Sequence, residues 1–393
     1  VLALRLARGA QAVVQLRRLL VSVASAGTGF LLLCALGYAM GHPDAPAESA
    51  TRLAWCLVPL AATVYLAVSV ARCDPGTRPR SGLSAIGLGP IRLMMLAVTS
   101  TALACTLGSL LALLFFLHLR GDLTGLPFDG AAAELLAADR PLPVPAVITL
   151  LVLVPLTAST AALFVLRPGA RKDAETPEPP EPRPPVPAPG GLPWGVALLA
   201  IGLASETYAG RGTGAAALPG AGGLPGTGGL GGSSAGVLAG WCLAALGLAF
   251  AGPGLTHLCG RMLQAVRPGA LRMLAGRVLQ TEAQRIGRPL GLLCAVASGV
   301  YAAARLHGGN QLDLGPLTLL GTVVVAGCAI ATVLTAAVES RQFHADTTAA
   351  LQQMGAPASM LRKAAALRAG MLFLVFGPLT WVVAELAAVP LIS

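Results

Sequence analysis

The sequence is short of charge: only 11% of its 393 residues are Asp, Glu, Lys or Arg, against about 25% in a typical soluble domain. It is also 55% hydrophobic, with 48 glycines besides. Such a chain cannot cover its apolar surface with polar groups in water, which excludes an ordinary soluble globular protein and leaves lipid as its solvent. Lysine is nearly missing, with Lys172 and Lys363 set against 25 arginines. That bias, with abundant Ala, Gly and Pro, points to a GC-rich bacterial genome.

Catalytic signatures are missing as well. No GxxxxGK followed by Ser or Thr is present, so the chain has no P-loop for ATP. The Gly-rich stretch 210–236 lacks Lys and is a poor phosphate cradle. There is no HExxH, no GxSxG in a strand–helix context and no pair of intramembrane Asp residues, so hydrolase or protease chemistry has no support. Cys34, Cys56, Cys73, Cys105, Cys242, Cys259, Cys294 and Cys328 form no CxxC or Cys/His cluster. They read as small apolar residues of packed helices, with no zinc site or disulfide framework. His42, His118, His257, His307 and His344 fall at span ends or in loops, dispersed, which disfavours metal binding. The net charge of +10 reads as positive-inside topology rather than nucleic-acid binding.

What the chain has is long apolar runs. A spanning helix needs about 20 mostly apolar residues. The runs 19–40, 52–71, 93–117, 145–166, 193–205, 236–255, 289–306, 314–338 and 365–391 predict an all-α polytopic protein with nine transmembrane helices. The fifth is short, and Trp194 marks its entry at headgroup level. With the amino terminus in the cytoplasm, the inner stretches hold 22 of the 27 basic residues and the outer ones 5. This split fixes the predicted orientation of a multi-pass protein in a bacterial plasma membrane. The first twenty residues are amphipathic and read as part of the first membrane half rather than as a cleaved leader. One small helix is expected near Ala131–Ala138 in the second outer loop.

The organisation predicted is a first membrane half over 1–167 and a Pro-rich cytoplasmic linker over 168–192 with polyproline character. A connecting transmembrane hairpin with a Gly-rich outer loop follows over 193–255, then a second half over 256–393. The halves repeat. Leu4-Arg5-Leu6-Ala7-Arg8-Gly9 precedes the first span, and Leu271-Arg272-Met273-Leu274-Ala275-Gly276-Arg277 precedes the seventh. Arg5, Arg8, Gln11, Gln15 and Arg18 share one helical face, and so do Arg277, Gln280, Gln284 and Arg288. Such stretches predict interfacial amphipathic helices whose arginines snorkel to the headgroups. The spans that follow end in Tyr38 and His42, and in Tyr301 and His307.

The next span in each half leads to a matching motif. Leu83, Ile86, Gly87, Gly89, Pro90, Ile91 and Arg92 form one copy. Leu351, Met354, Gly355, Ala356, Pro357, Met360, Leu361 and Arg362 form the other. Each reads as a short helix, a Gly break in the left-handed region, and a Pro-started helix that becomes the next span. The result is a pair of bent elbows on the cytoplasmic face.

In these residues the chain resembles the FtsX-like permease family of ABC transporters, which includes the MacB-type exporters. The family pattern, a Leu and an aliphatic residue followed by Gly-Ala and, further on, by aliphatic residues and an Arg, is matched by Leu351, Met354, Gly355, Ala356, Met360, Leu361 and Arg362. It is matched less closely by Leu83, Ile86, Gly87 and Arg92, with Leu88 in place of Ala. The resemblance covers about two thirds of the chain and implies two FtsX-like halves. It implies that both elbows are coupling helices that dock on an ABC-type ATPase subunit dimer, with ATP and Mg in that partner and no cofactor or enzyme activity in this chain. The large extracellular domain of MacB-like members has no counterpart, since 41–52 barely turns the chain. By strict repetition the second half would need a further span after Ser393.

Glu385, in the last apolar run, is a candidate intramembrane polar site, or a carboxylate near the outer interface. Gly291, Ala295 and Gly299 put small residues on one helix face and predict close helix contact. The expected function is a permease subunit moving an amphiphilic substrate with a partner's ATP. The alternative is a non-transporting, ATP-driven regulator of an envelope enzyme or sensor. A secondary transporter has less behind it, with only Pro155, Pro378 and Glu385 mid-membrane.

Overall fold

Among the described residues of the computed structural model, the regular secondary structure is all helical. The described residues are 2–73, 90–122, 130–133, 136–167, 189–211, 235–265, 269–306, 316–343, 353, 355 and 357–392. The linker residues 168–188 and Gly-rich residues 212–234 lie outside them.

Eleven helices are described: α1 Leu2–Gly41, α2 Pro46–Trp55, α3 Leu57–Arg72, α4 Pro90–Arg120, α5 Val144–Leu166, α6 Gly191–Arg211, α7 Ala235–Ala265, α8 Ala270–Thr281, α9 Ala283–Leu306, α10 Pro316–Phe343 and α11 Ala358–Ile392. Over its described residues, each predicted apolar run lies on one of them or, for the second, across α2 and α3. Among the described residues, seven segments are long and apolar enough to cross a membrane: Val13–Gly41, Glu48–Arg72, Ile91–Arg120, Val144–Leu166, Ala239–Ala265, Leu317–Gln342 and Ser359–Ala387. The protein is therefore a multi-span helical membrane protein. The expected fifth and seventh spans fall short of that standard. Among the described residues α6 offers a shorter apolar helix, Gly191–Thr207, and α9 opens with Arg285 and Arg288.

Local chemistry explains several boundaries. The second run is broken at Cys56, whose N–H is shared between Arg52 and Leu53 carbonyls. Pro59, one turn on, has no N–H to give the carbonyl of Trp55. The amphipathic stretch before the first span is not a separate element: α1 runs unbroken for 40 residues. Its counterpart is set off as α8, which ends at Glu282 before α9 begins. The small helix expected near Ala131–Ala138 is replaced by turns among the described residues. Ala137 sits at φ +50 there, and the buried Arg120 donates to the carbonyls of Ala137 and Arg140.

The chain forms two compact units. Unit 1 holds Val1–Glu178 with Leu314–Thr335, and unit 2 holds Pro179–Asp313 with Ala336–Ser393. In unit 1, Val21, Ala24, Leu66, Ala67, Ala104, Cys105, Ala158 and Cys328 make one apolar cluster. In unit 2, α7 is the central helix. Its Gly240 and Gly247 face Gly202, Gly195 and Leu199 of α6, and its Gly252 and Gly260 face Gly287 of α9 and Gly276 of α8. At each of these glycines an added Cβ would run into the neighbouring backbone or side chain. The predicted small-residue stripe of α9 is thus half used: Gly291 lies against the Leu248 carbonyl, while Gly299 has nothing within 4 Å. Seven of the eight cysteines are buried and all are free.

Candidate functional site

At the first elbow, Leu83, Ile86, Gly87 and Gly89 lie outside the described residues. What is described is its frame. α3 stops at Arg72 with Cys73 as its cap, and α4 starts at Pro90. Proline suits that place, because the first N–H groups of a helix have no intrahelical acceptor. Ile91 follows, 60% exposed, and Arg92 is exposed beside it.

At the second elbow, Leu351, Met354 and Ala356 lie outside the described residues. Gly355 has φ +93, the left-handed conformation that glycine adopts without a steric penalty. Pro357 follows, and the Met360 N–H donates to its carbonyl at 2.9 Å as α11 begins. Met360 and Leu361 are half-buried, and Arg362 is exposed. The first fully inward residue is Ala364, which packs on Leu263 of α7 and Ala275 of α8. Residues 358–363 therefore emerge from the packed part of unit 2 at the root of the elbow.

Two polar contacts at these roots were not anticipated from sequence. In unit 1, Arg17 of α1 is 5% exposed, and its Nη1 donates to the carbonyl of Cys73 at 3.3 Å. That carbonyl caps α3, at the helix end where a cation is favoured. In unit 2, Glu282, between α8 and α9, is also 5% exposed. Its carboxylate accepts a hydrogen bond from the Ser340 hydroxyl at the end of α10, at 2.5 Å. Arg368 of α11 approaches the same carboxylate to 4.0 Å, and Arg285 of α9 approaches Glu339 of α10 to 4.0 Å. The signal available in the sequence was a charged residue off the polar face of each amphipathic stretch.

At the predicted outer ends, each repeated tyrosine donates to a glutamate. Tyr38 donates to Glu48 at 2.7 Å, where Arg52 pairs with the same carboxylate at 3.1 Å and lies 3.5 Å over the tyrosine ring. Tyr301 donates to Glu385 at 2.9 Å, so this carboxylate bridges α9 and α11 near their predicted outer ends. Among the described residues no group of three or more His, Cys, Asp or Glu side chains could hold a metal ion. The described polar contacts join one helix to another within each unit. No family model, curated protein or solved structure matches the chain.

Proposed function

We propose that the chain is the permease subunit of an ABC transporter, built from two FtsX-like halves, and that it moves an amphiphilic substrate with ATP hydrolysed in a separate subunit. The observation that carries this reading is the repetition. An amphipathic stretch, a span, a second span and a Gly/Pro elbow occur twice in the same order. Each elbow feeds a helix whose first residues face outward, Ile91 and Arg92 in one and Arg362 in the other. Two elbows in one chain suit a two-fold ATPase dimer. Closure of that dimer on ATP pushes both elbows and rearranges the helices they lead into. Nucleotide and Mg belong to the partner.

The charge distribution supports nine crossings over seven. With α6 and α9 crossing, basic residues divide 22 to 5 between the two sides; with neither crossing, they divide 17 to 10. Short loops of polytopic proteins keep the larger bias. A helix of 21 residues such as α6 is also long enough for a hydrocarbon core of about 30 Å.

The test is copurification. An ATPase subunit encoded beside this chain is expected to copurify with the wild type and to be lost from the double variant Ile91→Asp, Arg362→Glu. Both side chains are exposed, so the variant keeps its fold. A complex that survives the double substitution counts against the elbows as docking sites.

A further inference from the structure

We infer that Arg17 and Glu282 are positioning residues: paired polar latches that tie each amphipathic stretch to the root of the elbow in the same half. The inference deepens the coupling role proposed above and rests on it for its purpose, but its geometry stands on separate residues.

Three observations converge. The first is placement on the helix. In the first stretch Arg8, Gln11, Gln15 and Arg18 mark the polar side, and Arg17 falls about 135° away from its centre at 100° per residue. In the second, Arg277, Gln280, Gln284 and Arg288 mark it, and Glu282 falls about 155° away. Each stretch thus carries charge away from its polar side: Arg17 in the first, and Glu282 together with the half-buried Arg272 in the second. That is an expensive place for a charge unless it has a partner. Arg17 and Glu282 are buried accordingly, each with 5% exposure.

The second observation is the partner. Arg17 donates to Cys73, the cap of α3, and Glu282 accepts from Ser340, in the last turn of α10. Both targets are the final turn of the span that leads into an elbow. Neither bond is local in sequence: it joins residues 56 positions apart in the first half and 58 in the second. The near-equal separation is what a duplicated arrangement gives, although the chemistry has diverged from guanidinium–carbonyl to carboxylate–hydroxyl.

The third is that Glu282 reaches both arms of its elbow. Ser340 lies on the incoming helix and Arg368 on the outgoing one. A load that shears α10 against α11 therefore meets Glu282, and through it the joint between α8 and α9. At that joint the two helices meet at Glu282, whose N–H donates to Val278 and whose carbonyl accepts from Ile286, so the helical direction carries through with the regular ladder interrupted for one residue. Among the described residues of the first half the latch holds only the incoming arm, and α1 continues as one rod. A push on the first elbow should move α1 as a lever, whereas a push on the second should bend α8 against α9.

The experiment uses the full chain in nanodiscs, alone and with its ATPase partner, and reads amide hydrogen exchange. In the isolated chain, Arg17→Met should speed exchange at Cys73, and Glu282→Leu should speed it at Arg341–Phe343. About ten-fold or more is expected at each, with mid-span amides of α7 unchanged. Ser340→Ala serves if Glu282→Leu fails to fold. Arg17→Lys and Glu282→Gln keep a donor and an acceptor and should restore most of the protection. In the complex, a non-hydrolysable ATP analogue should change exchange across 2–18 and 270–281 in the wild type. That response should vanish in Arg17→Met and Glu282→Leu although the ATPase still copurifies. Exchange at the two span ends unmoved by the substitutions would overturn the latches, as would a nucleotide response kept in full. If no ATPase binds the wild type, the coupling role falls and the exchange at the span ends alone decides whether the latches exist.

Discussion

The two units hold their helices together by different means. Unit 1 uses hydroxyl groups that cross from helix to helix. Ser25 of α1 donates to the Cys105 carbonyl of α4 at 2.8 Å, and Ser109 of α4 to the Leu151 carbonyl of α5 at 3.1 Å. Thr28 of α1 and Thr63 of α3 share a hydrogen bond of 2.8 Å. Unit 2 also has hydroxyl bonds, Tyr301 to Glu385 and Ser340 to Glu282, but relies more on closeness. Gly202 meets Gly240, Gly252 meets Gly287 and Gly260 meets Gly276, each leaving no room for a side chain. Helices in hydrocarbon gain nothing from the hydrophobic effect against one another, so dispersion and hydrogen bonds are the sources left. A hydroxyl crossing has slack, because the bond lengthens before it breaks. A backbone contact has none, because any added carbon must push the helices apart. Among its helices α6 to α9, unit 2 is thus the less forgiving half.

The largest effect should come from filling a glycine contact. Gly287→Leu would drive its side chain into Gly252 and Pro253 of α7. A loss of about 3 kcal/mol or failure to fold is expected, read as thermal unfolding in detergent. A near-neutral result would mean that α7 and α9 pack more loosely than these contacts require. Next in size are the hydroxyls of unit 1. Ser25→Ala and Thr28→Val should each cost about 0.6–1.7 kcal/mol by the same measurement. The α1–α4 crossing allows an internal comparison, since Gly108 there packs against Ser22, Ser25 and Ala26. Gly108→Leu should behave like the glycine variants of unit 2 while Ser25→Ala, at the same crossing, stays mild. Equal losses at both positions would erase the contrast between hydroxyl and backbone packing.

Much of this architecture could be read from the sequence, and the parts that could not have definite causes. The apolar runs place the helices because hydrocarbon forces every backbone group to be satisfied within a helix. Helix ends were harder to read. α7 extends ten residues past its predicted end at 255, to Ala265, because Thr256, His257 and Cys259 are buried against protein rather than exposed to a headgroup layer. At the elbows, Gly355 announced its left-handed turn through its identity alone. Arg17 and Glu282 stand off the polar face of their stretches, but the sequence does not name their partners, which lie more than fifty residues away. The outer partner of Tyr301 was hidden for the same reason, with Glu385 lying 84 positions on.

The smallest predicted effect concerns the glycine that sequence and structure treat differently. Spacing places Gly291 and Gly299 on one face of α9, yet Gly291 abuts the Leu248 carbonyl and Gly299 meets nothing. Gly291→Ala should therefore destabilise. Gly299→Ala should leave stability unchanged or raise it by up to about 1 kcal/mol, since alanine has the better helix propensity. The pair separates two uses of a small residue, because only a site with a backbone neighbour has a reason to exclude a methyl group. If Gly299→Ala destabilised the protein as much as Gly291→Ala, its face would have to be covered by something beyond its own unit. A second chain pressed on α9 would then be the thing to look for, by cross-linking a cysteine placed at position 299.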